Sequence, residues 1–283
     1  MHLGNVYAAL MSWLEAKRLG GKWLLRIEDL DPGRSRPEYA RLIEDDLSWL
    51  GLDWDEGGLD NIGPRGPYLQ SERSEIYREY FNRLSASGLV YPCSCRRADI
   101  LATQAPHQSD GRVVYSGRCR PAAAPPYPPV DEAETSSAIR LWVPDEDIEF
   151  VDGNFGPQRF NLARDCGDFV IRRADRAWAY QLAVVVDDAL MGVNQVVRGS
   201  DLLLSTAQQI YISRLLGFPI PEYRHLPLLC NEAGQRLSKR DGAMSMEQLR
   251  QTSTPAEILG RLALMAGLTD RYQPLTASEI LSL

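Results

Sequence analysis

Two hydrophobic periodicities run through the chain and predict an α/β fold. Apolar residues at helical spacing alternate with short continuous apolar runs, which is typical of strands separated by helices. The run from Trp23 to Ile27 predicts a buried strand, and an acidic cluster, Glu28 to Asp31, follows at its carboxyl end. The same patterns predict helices over 35–51, 71–87, 180–188, 205–217 and 254–267, and strands over 139–143, 149–151, 168–173 and 193–197.

Local signals bound three of these helices. Each begins with a capping box, in which Ser or Thr is followed three residues later by Glu or Gln. The boxes start at Ser35, Ser205 and Thr254. Each helix also meets a glycine near its other end, and glycine readily adopts the left-handed conformation that terminates a helix.

Composition and charge narrow the class of protein. The chain has 283 residues, of which 44% are hydrophobic, and this is enough for a sizeable core. A net charge of −7 argues against nucleic-acid binding through overall charge, while a local basic groove stays compatible with it. No apolar run approaches the roughly 18 residues of a membrane span. No signal-peptide pattern opens the chain, so we expect a cytoplasmic protein without a membrane partner.

Residues 89–164 differ in composition, and we expect them to form an insertion. A proline- and alanine-rich run, Pro121 to Pro129, excludes a helix or a central strand there. Cys93, Cys95 and Cys119 lie close together in the same segment. Five cysteines in a chain of this length do not form a disulfide scaffold. A metal site is therefore the better interpretation of the cluster.

Two motifs suit a nucleotide. The tetrapeptide from His2 to Asn5 precedes an apolar helix, and the N–H groups at the start of a helix bind phosphate. The cationic run from Arg236 to Arg240 stands between two glycines, which predicts a loop that closes over a triphosphate. Taken alone, an ordinary chain terminus and a solvated turn explain these motifs at least as well.

As a pair, however, the two motifs resemble the signatures of class I aminoacyl-tRNA synthetases. The segments between them are similar to the glutamyl-tRNA synthetase family, in order and over nearly the whole chain. These segments are Leu25–Asp31, Trp49–Glu56, Gln70–Arg73, Tyr91–Cys93, Val184–Asp188 and Val197–Gly199. The resemblance implies a Rossmann-like parallel sheet with a zinc-containing insertion and a small C-terminal helical region.

Further features resemble the truncated branch of that family, the glutamyl-Q tRNA(Asp) synthetases. Tyr180–Ala183 and Ser200–Leu203 are closer to this branch, and only 43 residues follow Arg240. The resemblance implies activation of glutamate with ATP in the absence of tRNA. Glutamate would then be esterified onto queuosine in the anticodon loop of tRNA(Asp). A truncated glutamyl-tRNA synthetase, a catalytically silent tRNA- or nucleotide-binding module and a nucleotidyltransferase for another small acid remain alternatives.

The resemblance also assigns roles at the nucleotide. His2 and Lys239 would stabilise the negative charge that develops on the α-phosphate, and removal of one such donor costs about 3 kcal/mol. Gly4, Asn5 and Ser238 would complete the ATP site, with Mg²⁺ accompanying ATP.

For the glutamate-binding pocket, the resemblance assigns one anionic side chain, one cationic side chain and one hydroxyl group. Glu28 would hold the ammonium group, Arg198 would pair with a carboxylate through two parallel hydrogen bonds, and Tyr180 would supply its hydroxyl. A substrate with two carboxylates and an ammonium group requires both signs of charge in its pocket. Structural alternatives are an ion pair of Glu28 with Arg26, a surface ion pair for Arg198 and a core position for Tyr180.

Zinc is the metal that the resemblance implies. In the family branch, a tyrosine four residues before the last cysteine completes the ligand set, and Tyr115 stands there beside Cys93, Cys95 and Cys119. His107 is a competing fourth ligand, because imidazole binds zinc more commonly than phenol does. Arginines around these cysteines predict a local face for tRNA phosphates, with a merely solubilising surface as the alternative: Arg96, Arg97, Arg112, Arg118 and Arg120.

The implied domain organisation has four parts. Residues 1–88 and 165–228 would form the two halves of the catalytic domain, with 89–164 as the zinc-binding insertion. Residues 229–283 would carry the cationic loop and a helical region, without an anticodon-binding domain. Family members have a strand and a glutamate-binding loop before the His2 motif, so we expect an upstream coding segment. We expect a monomer.

Overall fold

The computed structural model describes residues 1–31, 33, 35–96, 114–229 and 245–283. The chain divides into two compact units. Unit 1 comprises Met1–Glu72, Val196–Asp201 and Arg224–Leu283, and unit 2 comprises Arg73–Gln195 and Leu202–Tyr223. The four-part organisation given above stays a prediction.

Helices and strands alternate along much of the chain, as the periodicity predicts, but among the described residues four strands follow one another within 90–161 and three helices within 246–281. The helices are α1 (Leu3–Arg18), α2 (Pro37–Leu50), α3 (Ser74–Ala86), α4 (Leu162–Asp165), α5 (Tyr180–Leu190), α6 (Leu203–Leu216), α7 (Met246–Thr252), α8 (Pro255–Met265) and α9 (Ala277–Leu281). The strands are β1 (Leu24–Leu25), β2 (Glu56–Gly57), β3 (Val90–Cys93), β4 (Ala138–Leu141), β5 (Asp147–Asp152), β6 (Gly156–Asn161), β7 (Phe169–Arg172), β8 (Gln195–Gly199) and β9 (Glu222–Leu226). Short 3₁₀ turns cover Gln70–Arg73 and Ser200–Leu202. None of the helices described here has the length and apolar character that crossing a membrane requires.

Unit 1 is built around a helical core beside a short parallel ladder. One face of α1 buries Val6, Leu10 and Leu14, which share a hydrophobic cluster with side chains of α2, α8 and α9. Strands β1 and β2 run parallel, with Leu24 opposite Glu56. The predicted strand over 23–27 is longer than β1, but the Ile27 N–H still donates to the Tyr68 carbonyl at 2.9 Å.

Unit 2 contains an antiparallel sheet in the order β3–β4–β7. In its register Tyr91 lies opposite Arg140, and Cys93 lies opposite Ala138. Because successive side chains of a strand point to opposite faces, Tyr91, Cys93 and Arg140 share one face of this sheet. Also in unit 2, β5 pairs with β6 in antiparallel orientation, with Asp147 opposite Asn161, and it is parallel to β9 at Asp152 and Tyr223.

Two of the three predicted capping boxes are wrong. Helix α2 begins at Pro37 behind an extended Arg36 that makes no side-chain cap, so Ser35 lies outside the helix start. Ser205 lies inside α6, where its hydroxyl accepts from Gln181 Nε2 at 3.1 Å. The box at Thr254 is confirmed, since its hydroxyl accepts from the Glu257 N–H at 3.3 Å.

Candidate active site and metal site

The first group of predicted ATP-binding residues lies at the start of α1. His2 is the N-cap residue, with extended backbone, and its carbonyl accepts from the N–H groups of Asn5 at 2.9 Å and Val6 at 3.2 Å. A Cβ atom added to Gly4 would lie 3.2 Å from His2 Cε1, so glycine leaves room for the imidazole over the first turn. The helix start therefore combines an imidazole with the positive end of a helix dipole.

The second part of the predicted nucleotide site is only partly visible. Ser238 and Lys239 lie outside the described residues. Ser245 follows that segment and forms an antiparallel β-bridge with His2. Beside the bridge, the Met246 N–H donates to the Met1 carbonyl at 2.9 Å. Both bridge partners belong to unit 1.

Glu28 lies just beyond β1, on a segment anchored to its neighbours in unit 1. Its carboxylate accepts from Arg26 Nη2 at 3.1 Å and is 39% exposed. The next residue, Asp29, accepts from both the N–H and the hydroxyl of Ser71, at 2.8 and 2.6 Å. The alternative pairing of Glu28 with Arg26 is thus present, and the carboxylate also faces solvent.

Arg198 is a buried cation at the end of β8. Its Nε donates to Nε2 of His225, a fully buried residue of β9, at 3.3 Å. A bond through Nε orients the plane of the guanidinium, whose Nη atoms form the fork that pairs with carboxylates. Arg198 is thus held inside the protein and is not a surface ion pair. Sequence reasoning missed His225, although an isolated histidine next to the apolar run from Leu226 is a signal.

Tyr180 is the first residue of α5 in unit 2, whereas Glu28 and Arg198 belong to unit 1. Its ring is 36% exposed, so the alternative of a core position is wrong.

The predicted metal ligands come together in unit 2. The Sγ atoms of Cys93, Cys95 and Cys119 all lie within 4.8 Å of one another. The Tyr115 hydroxyl lies 3.5 Å from Cys93 Sγ and 4.0 Å from Cys95 Sγ, and it accepts from the Cys119 N–H at 2.7 Å. His107 lies outside the described residues. Three sulfur atoms and one phenol oxygen therefore lie close together, and the three thiols could hold a metal ion.

The thiols of this cluster differ in acidity. Burial raises the pKa of Cys119, but hydrogen bonds from Cys95 and Ser94 outweigh it and lower that pKa to about 6. Burial and the hydrogen bond with Cys119 raise the pKa of Cys95 to about 11. Burial also raises the pKa of Tyr115. Cys119 therefore supplies a thiolate, the form that binds metals, more readily than Cys95 does.

One arginine of the predicted tRNA-binding face has a structural role, because its guanidinium pairs with a buried carboxylate. Arg120 Nε donates to the buried carboxylate of Asp168 at 2.7 Å. The same carboxylate accepts from the Val143 N–H at 2.9 Å and from the Tyr91 hydroxyl. Asp168 thus joins the loop after Cys119 to the β3–β4–β7 sheet. Composition alone did not distinguish this arginine from its neighbours.

Comparison with known proteins agrees with the motifs. Residues 1–280 match the family model of the class I tRNA synthetases (E and Q), catalytic domain. A glutamyl-Q tRNA(Asp) synthetase of Symbiobacterium thermophilum is 49% identical, over 99% of this chain and 87% of the relative. The protein of the same name in Nitratidesulfovibrio vulgaris is 45% identical, over the whole chain and 88% of the relative. The chain belongs to the glutamyl-Q tRNA(Asp) synthetase family.

Solved structures place this family member in the class I synthetase fold. A glutamate-tRNA synthetase of Elizabethkingia anophelis aligns with a TM-score of 0.80 and 27% identity, and covers 99% of this chain. A glutamate tRNA ligase of Elizabethkingia meningosepticum, solved with its amino acid, gives the same TM-score at 28% identity. The chain spans about three fifths of these solved chains, 62% and 61%. The expected α/β fold is confirmed.

Proposed function

We propose that this protein activates glutamate with ATP in the absence of tRNA and then transfers it to queuosine in the anticodon loop of tRNA(Asp). The observation that carries the proposal is 45–49% identity, over nearly the whole chain, to relatives that bear the glutamyl-Q tRNA(Asp) synthetase name. These relatives are matched over 87–88% of their own length.

The start of α1 supports the nucleotide part of the proposal. N–H groups at a helix start favour a phosphate, and His2 would add an imidazole beside it. The bridge from His2 to Ser245 ties this helix start to the polypeptide that follows the cationic motif. We assign charge stabilisation at the α-phosphate to His2 and Lys239, with Gly4, Asn5 and Ser238 completing the ATP site. Mg²⁺ would accompany the triphosphate.

The charges in unit 1 support the choice of an acidic amino acid. Arg198 would receive a carboxylate, because it is buried and its guanidinium plane is set by His225. Glu28 would receive the ammonium group, because its carboxylate is anchored yet exposed to solvent. Attack of the glutamate carboxylate on the α-phosphate then forms the adenylate and releases pyrophosphate. Tyr180 stays the proposed hydroxyl donor.

A structural zinc ion is our proposal for the cysteine cluster. Sulfur ligands select zinc among the common divalent ions, and four ligands close a structural site. Cys93, Cys95, Cys119 and Tyr115 supply one donor each. The ion would hold residues 93–95 and 115–119 of the insertion together and take no part in activation. Thiol ligands require a reducing compartment, which fits a cytoplasmic protein.

We assign tRNA binding in part to the basic residues around this cluster. Arg96 and Arg118 are exposed, and their charge is local in a chain of net charge −7. Arg97 and Arg112 lie outside the described residues. We propose that the protein acts as a monomer.

Pyrophosphate exchange tests the activation step. The protein should exchange labelled pyrophosphate into ATP when glutamate is present and tRNA is absent. Lys239→Ala should lower this exchange about a hundredfold, because a preorganised charge donor is lost. Glutamate binding, measured by calorimetry, should change less than twofold. Normal tRNA binding without exchange would support a silent binding module, and exchange driven by aspartate or glutamine would support another substrate.

A further inference from the structure

Arg140 is a buried arginine that contacts the cysteine cluster from the neighbouring strand. It lies on β4, and only 6% of the residue is exposed. Alternation along this strand places Ile139 and Leu141 in the core and predicts a solvent-facing position for residue 140. The position is buried because Tyr91 and Cys93 flank it on β3 and the Tyr115 ring packs against its guanidinium. A charge buried there requires partners.

Three atoms of the Arg140 guanidinium have defined contacts. Its Nε donates to Cys93 Sγ at 3.2 Å, and its Nη1 donates to the Asp168 carbonyl at 2.6 Å. Its central carbon lies 3.6 Å from the centroid of the Tyr115 ring, in a cation–π contact. One cation therefore touches two of the four proposed ligands, while the bond to Asp168 fixes its position.

We propose that Arg140 is a positioning and charge-balancing residue of the metal site. This inference rests on the proposed zinc site. Three thiolates outweigh a divalent cation by one unit of negative charge, and a phenolate in place of the phenol would make the excess two. In a partly buried site, where Cys93 and Tyr115 are shielded from water, such an excess is unfavourable. Arg140 offsets one unit of it and directs a hydrogen bond at one sulfur, which tunes a bound metal as outer groups do elsewhere.

A neighbouring arginine provides a matched control. Arg172 lies on β7, the strand paired with β4, and is also 6% exposed. Its guanidinium stacks over Trp178 at 4.6 Å and pairs with Glu132 Oε2 at 2.6 Å. Arg172 thus matches Arg140 in burial, charge and contact with an aromatic ring. It differs in its polar partner, which is the Glu132 carboxylate, whereas Arg140 donates to Cys93 of the cysteine cluster.

The test compares zinc affinity in R140M, R140K and R172M with the wild-type chain. Each protein is purified without chelator, its zinc content is measured by elemental analysis, and its zinc Kd is measured by competition with a chromophoric chelator. R140M should weaken zinc binding by about 10- to 100-fold, the range for loss of an outer-shell partner. R140K should give a smaller loss, because it keeps the charge without the planar fork. R172M should stay within twofold of wild type.

Replacing zinc with cobalt adds a spectroscopic measurement that would not change if Arg140 merely stabilised the fold. The sulfur-to-cobalt charge-transfer absorption should shift in R140M and R140K and stay unchanged in R172M. A wild-type Kd and spectrum in R140M, or an equal loss in R172M, would overturn the role of Arg140. If R140M does not fold, R140K decides alone, and a Kd within twofold of wild type overturns the inference. Wild-type protein that binds no zinc would instead remove the metal site, leaving glutamate activation to its own test.

Discussion

At the scale of single residues, the buried cation Arg198 of unit 1 supports the proposed substrate. Arg198 was expected from the family resemblance, and its burial agrees with a ligand-binding role better than with a surface ion pair. His225 was not expected, because a hydrogen bond between neighbouring strands depends on their pairing and not on either local sequence. Together they present a guanidinium whose orientation is set by a contact within the protein. Such preorganisation lowers the cost of binding.

Substitution of Arg198 should therefore change the KM for glutamate. Arg198→Lys keeps the charge but loses the bond to His225 and the planar fork, so the KM should rise about tenfold. Arg198→Leu should raise it about a hundredfold, since a hydrogen bond to a charged group contributes about 1.5–3 kcal/mol. The KM for ATP should change less than twofold in pyrophosphate exchange. Arg250→Leu is the control, because Arg250 pairs with Asp46 and should leave both constants unchanged. Equal effects of Arg198→Leu and Arg250→Leu on the KM for glutamate would argue against a glutamate-binding role for Arg198.

At the scale of elements, local signals predicted helix ends better than helix starts. Gly51 and Gly217 end their helices in the left-handed conformation, which glycine adopts without a Cβ clash. The boxes at Ser35 and Ser205 failed because a capping pattern also occurs beside or inside a helix whose start is set by packing. The burial of Arg140 could not be predicted for a related reason. Whether the outer face of a strand is buried depends on the segment that packs over it, and the sequence of the strand does not identify that segment.

Helix α8 contains a glycine for which tertiary packing reverses the usual expectation. Alanine in place of glycine inside a helix normally stabilises by about 1 kcal/mol. At Gly260, however, the added Cβ would lie 1.9 Å from the backbone oxygen of Gln273. Gly260→Ala should therefore lower the free energy of unfolding by about 1–3 kcal/mol in urea titration, as overpacking does. A gain in stability would show that the segment after α8 moves away at little cost.

At the scale of the whole molecule, the order of motifs along the chain was enough to predict the family and its α/β fold. Those motifs are short and specific, so they can be recognised in the sequence without knowledge of the packing. The clustering of Cys93, Cys95 and Cys119 beside Tyr115 in unit 2 agrees with the family spacing, which the sequence shows directly, whereas their role as metal ligands stays a prediction. The Asp168 network was not predictable, since its members join segments that are distant in sequence.

The central claim is that glutamate is transferred to a modified anticodon base. The most direct measurement incubates the protein, ATP and labelled glutamate with tRNA(Asp) containing queuosine, tRNA(Asp) lacking it, and tRNA(Glu). Nuclease digestion then locates the label. Our account predicts label on the first RNA alone, in its anticodon-loop fragment. Label at the 3′ end of tRNA(Glu), with none in the anticodon loop of queuosine-containing tRNA(Asp), would contradict it and indicate a glutamyl-tRNA synthetase.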